Sequence, residues 1–146
     1  MLLLIPLFPF IGFLVNASIG RRLSKSAAGL VAVAAMVASF AVALASVVQV
    51  AGLPPESRAI EQHVFDWITV GNFNAAFTLR VDPLSALMIL VVTGIGSLIH
   101  IYSTSYMHEE PDPEFARYFS YLNLFASFML ILVLGSNFLV MFVGWE

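Results

Sequence analysis

The sequence predicts an all-α polytopic membrane protein. It has about four full transmembrane helices, the first half of a fifth, and a small extramembrane β-hairpin between helices two and three. Of its 146 residues, 60% are hydrophobic and only 10% are charged, whereas soluble proteins carry about 25% charged residues. The apolar runs are long enough to cross a hydrocarbon core of roughly 30 Å. Most charged residues fall between these runs, as a polytopic membrane protein requires.

The first two helices follow from the N-terminal apolar runs. Helix one is predicted from about Leu2 to Ile19, with Pro6 and Pro9 in its first turns, where a missing amide N–H is tolerated. The basic residues follow this run, which favours a transmembrane helix over a signal peptide. Helix two is predicted from about Ala27 to Val50, and its many alanines suit close packing in lipid.

The stretch between helices two and three predicts a β-hairpin outside the membrane. Aromatic and β-branched residues run from Val64 to Val70 and from Ala75 to Val81. Between them lies Gly71-Asn72-Phe73-Asn74, a turn-forming sequence.

Three apolar runs remain. They predict helices from about Pro83 to Tyr106, from about Phe115 to Leu134, and from about Phe138 to Glu146, the last being half a crossing. The chain thus divides into helices one and two (1–51), an outer loop with the hairpin (52–81), and helices three, four and the start of five (82–146).

The distribution of basic residues predicts the orientation. The loops after helices one and three share a side and carry four basic residues, and the loop after helix two carries two: Arg21, Arg22, Lys25 and Arg117 against Arg58 and Arg80. Because basic loops stay in the cytoplasm, we expect the N-terminus and the hairpin outside.

Several chemistries are excluded. Without cysteine, this chain offers no disulfide, thiolate nucleophile or iron–sulfur ligand, and it has no basic face for nucleic acid. Gly94 and Gly96 follow no strand, so they do not form a nucleotide loop. His63 and His108 lie on opposite sides of the predicted membrane, so they share no metal. We expect no metal or cofactor in this chain.

Glu146 is the main candidate for chemistry. It lies nine residues after Asn137, which puts it about 13 to 14 Å along a helix and near the middle of the membrane. A carboxylate there costs about 2.5 to 3.5 kcal/mol and marks an ion path by default. The alternative is that helix five is short and that Glu146 lies at the interface.

His100 and Asp82 are weaker candidates. His100 lies within helix three, where it can relay protons or simply pack through hydrogen bonds. Asp82 precedes Pro83, an ordinary helix cap, or else it lies at the outer mouth of an ion path.

Two stretches resemble a known family: RVDPLSALMILVVTGIGSLIHIYSTSYM and FARYFSYLNLFASFMLILVLGSNFLVMFVGWE. They are similar to the N-terminal third of chain L, mitochondrial subunit five, of proton-pumping NADH:quinone oxidoreductase (respiratory complex I). The resemblance implies that Glu146 is the membrane carboxylate on helix five, which in this family pairs with a lysine on a later helix. That lysine would follow residue 146, so we expect the sequence to be a fragment that is not catalytic alone.

The resemblance also implies partners and a location. FMN, iron–sulfur clusters and quinone would belong to partner subunits, and the other membrane subunits of complex I and the lipid bilayer would surround this chain. A bacterial inner membrane is expected. Two alternatives stay open, namely a subunit of a multisubunit sodium/proton antiporter and a small structural membrane protein.

Overall fold

A computed structural model describes residues 1–71 and 73–146, and Asn72 of the predicted turn lies outside the described residues. The chain is mostly helical with one two-stranded antiparallel sheet, which confirms the predicted class in outline. In chain order the elements are α1 Leu4–Ile19, α2 Lys25–Ala51, β1 Ile60–Val70, β2 Phe73–Val81, α3 Pro83–Tyr106, α4 Asp112–Leu134 and α5 Phe138–Trp145.

Three of the described helices, α2, α3 and α4, are long and apolar enough to cross a membrane by length and composition. α1 is apolar but has only 16 residues, a length of about 24 Å. The count of four full crossings therefore remains a prediction.

The hairpin is longer than predicted. β1 begins at Ile60 rather than Val64, because its pairing with β2 runs from Ile60 opposite Val81 to the turn, with two register shifts on the way. Buried side chains of β2, including Leu79, face the helices.

Apolar residues pack in two clusters at opposite ends of the bundle. One joins the hairpin to the adjacent helix ends and includes Leu79, Ile89 and Leu134. The other includes Phe115 and Phe119 near the opposite ends. Along the helices between these clusters lie buried polar side chains: Ser39, His100, Asn123 and Ser127.

α1 packs closely against α2 and α4. A Cβ atom added to Gly12 would lie 2.8 Å from the Cβ of Ala35 on α2 and 2.6 Å from Nδ2 of Asn123 on α4. Neither distance is compatible with a side chain, so Gly12 is what lets three helices meet.

The prediction that both prolines of helix one lie in its first turns is wrong for Pro9, which lies inside α1. Proline has no N–H, so the carbonyl of Ile5 loses its helical donor. The hydroxyl of Ser39 on α2 donates to that carbonyl at 2.6 Å. The carbonyl that Pro9 leaves without a donor is therefore satisfied by a neighbouring helix, as an apolar medium demands. Ser127 on α4 also donates to the carbonyl of Pro6 at 2.9 Å and so joins α4 to α1.

α3 contains a π-helical turn, Val91–Ile95, which the sequence analysis did not predict. Gly94 inside it and Gly96 just after it permit close contact, as expected for small residues in lipid. A Cβ on Gly94 would lie 3.2 Å from the Phe40 ring, and one on Gly96 would lie 2.8 Å from Cε of Met36.

The bond between Ser39 and Ile5 predicts a coupling with Pro9. Ser39→Ala should destabilise the protein by about 0.6 kcal/mol, at most about 1.7, the range for hydrogen bonds between membrane helices. In a Pro9→Ala background this cost should shrink, because an alanine amide at position 9 donates to Ile5 instead. The free energy of unfolding in mixed micelles is measured for four purified proteins: the unchanged protein, each single variant and the double variant.

Ser46→Ala is the matched control, because the Ser46 hydroxyl donates to Val42 on its own helix. Its cost should not depend on Pro9→Ala. An equal cost of Ser39→Ala in both backgrounds would contradict the coupling.

Candidate functional site

The position of Glu146 begins with the turn between α4 and α5, which is attached to the hairpin. The amide of Ser136 donates to the carbonyl of Thr78 on β2 at 3.1 Å. Nδ2 of Asn137 donates to the carbonyl of Ala76 on β2 at 2.8 Å. Oδ1 of Asn137 accepts from the amide of Val140 at 3.0 Å and so caps α5. One side chain thus anchors the turn and starts the helix.

α5 then runs closely along α4. A Cβ added to Gly144 would lie 2.5 Å from the backbone nitrogen and 2.7 Å from Cα of Leu132. Only glycine permits this approach, so Gly144 fixes the far end of α5 as Asn137 fixes its start.

Glu146 follows α5, and its amide donates to the carbonyl of Phe142 at 3.0 Å. The residue is exposed and lies at a groove of about 560 Å³ between α4 and α5. The groove is lined mainly by apolar side chains, among them Leu124, Phe125, Phe128, Met129, Leu132 and Trp145. Among the described side chains, no basic group lies within 4 Å of the carboxylate. The groove leaves room for a partner.

His100 is buried, with 1% of its surface exposed, between α3 and α4. Nδ1 lies 2.7 Å from the carbonyl of Gly96, and Nε2 lies 3.0 Å from Oδ1 of Asn123. The ring packs at a tilt on Phe119 with centroids 6.2 Å apart. His100 is therefore a packed, hydrogen-bonded residue.

These two contacts determine which ring nitrogens of His100 carry a proton. A carbonyl oxygen only accepts, so Nδ1 carries a proton. A neutral ring has one N–H, so Nε2 can donate to Oδ1 of Asn123 only when the ring is a cation. With a neutral ring, the amide of Asn123 must turn and donate from Nδ2. The orientation of Asn123 therefore follows the charge of His100.

Asp82 caps α3. Its Oδ1 accepts from the amide of Ser85 at 2.9 Å, and the hydroxyl of Ser85 accepts from the amide of Asp82 at 2.8 Å, which completes a capping box. The amide of Ser85 holds the pKa of the Asp82 carboxyl below its ordinary value, and partial burial opposes this more weakly. Nε of Arg80 lies 4.0 Å from Oδ2 of Asp82.

The three predicted residues do not form one site, since no described hydrogen bond or ion pair joins Glu146, His100 and Asp82. Sequence reasoning gave no site role to Asn16, Asn123 or Asn137. Asparagine within an apolar run was the available signal, because a polar side chain inside a membrane needs a partner. In the described part of the chain, no group of three or more His, Asp or Glu could hold a metal ion.

Comparison with known proteins identifies the family. A profile described as NADH-Ubiquinone oxidoreductase (complex I), chain 5 N-terminus matches residues 67–119. The NADH-quinone oxidoreductase subunit L of Mycobacterium tuberculosis H37Rv is 42% identical over 127 residues, 87% of this chain and 20% of that protein. The chain belongs to this family.

Other members of the subunit L and chain 5 family match the whole chain. Subunit L of Escherichia coli K12 is 37% identical over 146 residues, which is 23% of that protein. NADH-ubiquinone oxidoreductase chain 5 of Chlamydomonas reinhardtii is 38% identical over 148 residues, 26% of its length. The chain spans about a fifth to a quarter of these relatives, so the expected match to an N-terminal third was too large.

The cap at Asp82 predicts a pH dependence. A carboxylate with a lowered pKa stabilises the fold above the pKa of the unfolded chain, about 3.9, and this contribution is lost as pH falls through the lowered value. Asp82→Ala should cost about 0.5 to 2 kcal/mol near neutral pH and progressively less in more acidic solution. Thermal unfolding of the protein and of Asp82→Ala, from neutral to acidic pH, measures the difference in stability.

Glu56→Ala is the control, because Glu56 makes no described side-chain hydrogen bond or ion pair. It should change stability little at any pH. A cost of Asp82→Ala that does not vary with pH would contradict the carboxylate's part in the cap.

Proposed function

We propose that this chain is part of the proton-translocating membrane subunit of an NADH-quinone oxidoreductase and that Glu146 exchanges protons within it. The observation that carries the proposal is the anchoring of α5. Asn137, held on the hairpin, starts the helix, and Glu146 follows nine residues later, about 13 to 14 Å along it. A carboxylate at that depth is costly unless it meets a countercharge or water.

The groove between α4 and α5 supports this role. Its volume of about 560 Å³ is large enough for a basic side chain or several water molecules to reach Glu146. A basic side chain there would pair with the carboxylate, and water would give its proton a path in and out.

The arrangement of the loops supports the proposed orientation. Nζ of Lys25 lies 3.5 Å from Asp112 and donates to the carbonyl of His108 at 3.0 Å. The loops after α1 and α3 therefore share one end of the bundle. The N-terminal ammonium donates to Gln62 of β1 at 2.7 Å, so the N-terminus lies beside the hairpin. With the basic end in the cytoplasm, the N-terminus and hairpin face outward.

The proposal extends to the rest of the complex. In this proposal α1 also crosses the membrane and brings the number of full crossings to four. The membrane is a bacterial inner membrane, and residues 82–146 form the first part of the translocating domain. NADH oxidation by FMN and iron–sulfur clusters and the reduction of quinone take place in partner subunits. His100 is proposed as a relay through Asn123, and Asp82 as a cap. The named relatives favour this function over a sodium/proton antiporter.

Glu146→Gln tests the proposal in the assembled complex, introduced into the chromosomal gene. The amide keeps the size of the side chain but cannot exchange protons, so proton pumping by membrane vesicles supplied with NADH should fall sharply while the complex still assembles. Glu114→Gln is the control, because Glu114 is an exposed acid in the first turn of α4. Pumping by Glu146→Gln equal to that of Glu114→Gln would contradict the proposal.

A further inference from the structure

Two buried polar atoms in the bundle have no hydrogen-bond partner among the described residues. They are Oδ1 of Asn16 and Nδ2 of Asn123. Asn16 is 2% exposed and Asn123 is fully buried. One atom accepts and the other donates. Leaving such an atom unpaired costs about 1 to 3 kcal/mol, and buried water commonly fills the role of the partner.

A crevice between α1 and α4 reaches Asn16, one of these two residues. It has a volume of about 170 Å³ and is lined by Asn16 and Ala17 of α1 and by Pro113, Ala116, Arg117 and Ser120 of α4, among others. Arg117 and Pro113 are exposed, and Asn16 and Ser120 are buried. The space is large enough for several water molecules, since one needs only about 10 to 15 Å³.

The crevice approaches the His100–Asn123 pair along both helices. On α1, Gly12 lies one turn from Asn16, and Nδ2 of Asn123 lies 2.6 Å from where a Gly12 Cβ would be. On α4, Ser120 lies three residues before Asn123, on the same face. The absence of a side chain at Gly12 leaves the space that Asn123 occupies.

The polar atoms near the crevice offer both acceptors and a donor, which is the combination that water can bind. Ser120 donates its proton to the carbonyl of Ala116 at 2.8 Å, so its oxygen can accept from water. Oδ1 of Asn16 can also accept, while Nδ2 of Asn123 can donate. Among the described groups, the titratable or charged side chains that face this space are Arg117 and Tyr121 at the crevice and His100 behind Asn123. α1 has no ionisable side chain.

We propose that this crevice is a water-binding site that connects His100 with the aqueous phase at Arg117, with Asn16, Ser120 and Asn123 as the water ligands. When the amide of Asn123 turns away from Nε2, water reaches the N–H and takes the proton as hydronium, and the ring keeps the electron pair of the N–H bond. Nδ2 of Asn123 then donates to the neutral ring, and Oδ1 faces the water. This water site gives the proposed proton translocation a path to His100, and its role rests on that proposed function.

Thiol labelling tests the site without using proton pumping. The chain has no cysteine, so Ser120→Cys adds a single thiol to it. In membranes containing the assembled complex, an impermeant anionic methanethiosulfonate added at the Arg117 side should label this thiol, because the reaction needs a hydrated thiolate. Ser46→Cys is the matched control, as Ser46 is also buried and bonded to its own helix, and it should stay unlabelled.

Asn16→Leu, which keeps the number and branching of the side-chain heavy atoms but has no polar atom, should abolish labelling of Ser120→Cys. Ala17→Cys, exposed at the crevice, should be labelled in both backgrounds, which shows that the reagent still reaches the mouth of the crevice. Ser120→Cys labelled no more than Ser46→Cys would overturn the site, and so would labelling that Asn16→Leu leaves unchanged. Because labelling does not depend on Glu146, failure here and failure of the proposed function are separate results.

Discussion

The side-chain amide of Asn137 is the interaction on which the candidate site depends. Its oxygen starts α5, and its nitrogen holds the turn on β2. The isolated β-bridge between Leu79 and Gly135 adds a second attachment. The hairpin therefore does more than cover the end of the bundle, because it sets where α5 begins. The close contact of Gly144 with Leu132 then sets the direction of the helix, and the two together place Glu146.

Polar contacts also determine which helices pair. Lipid solvates apolar helix surfaces as well as another helix does, so apolar burial alone gives little preference for one neighbour. The carbonyls of Pro6 and Ile5 accept hydrogen bonds from hydroxyls on α4 and α2. Asn16 adds a bond from α1 to the carbonyl of Ala28 on α2 at 3.1 Å. These bonds specify the position of α1 between its two neighbours.

The features that the sequence predicted depend on contiguous residues. Apolar runs, the Gly/Asn turn and the cap at Asp82 can be read locally, and the cost of a carboxylate in lipid pointed to Glu146. The pairing of Ser39 with Ile5 and of His100 with Asn123 could not be predicted, because it depends on how helices cross. The early start of β1 depends on bulges, and the groove beside Glu146 depends on the contact at Gly144.

For Glu146 to exchange protons as proposed, its side chain must lie deep in the membrane beside water or a basic group. An electron cryo-microscopy map of the assembled protein in a lipid nanodisc measures this most directly. We expect the map to show the Glu146 carboxylate about 13 to 14 Å inside the level of Asn137, in contact with water or a basic group. A carboxylate at the level of the lipid headgroups, or packed on acyl chains without either partner, would contradict it.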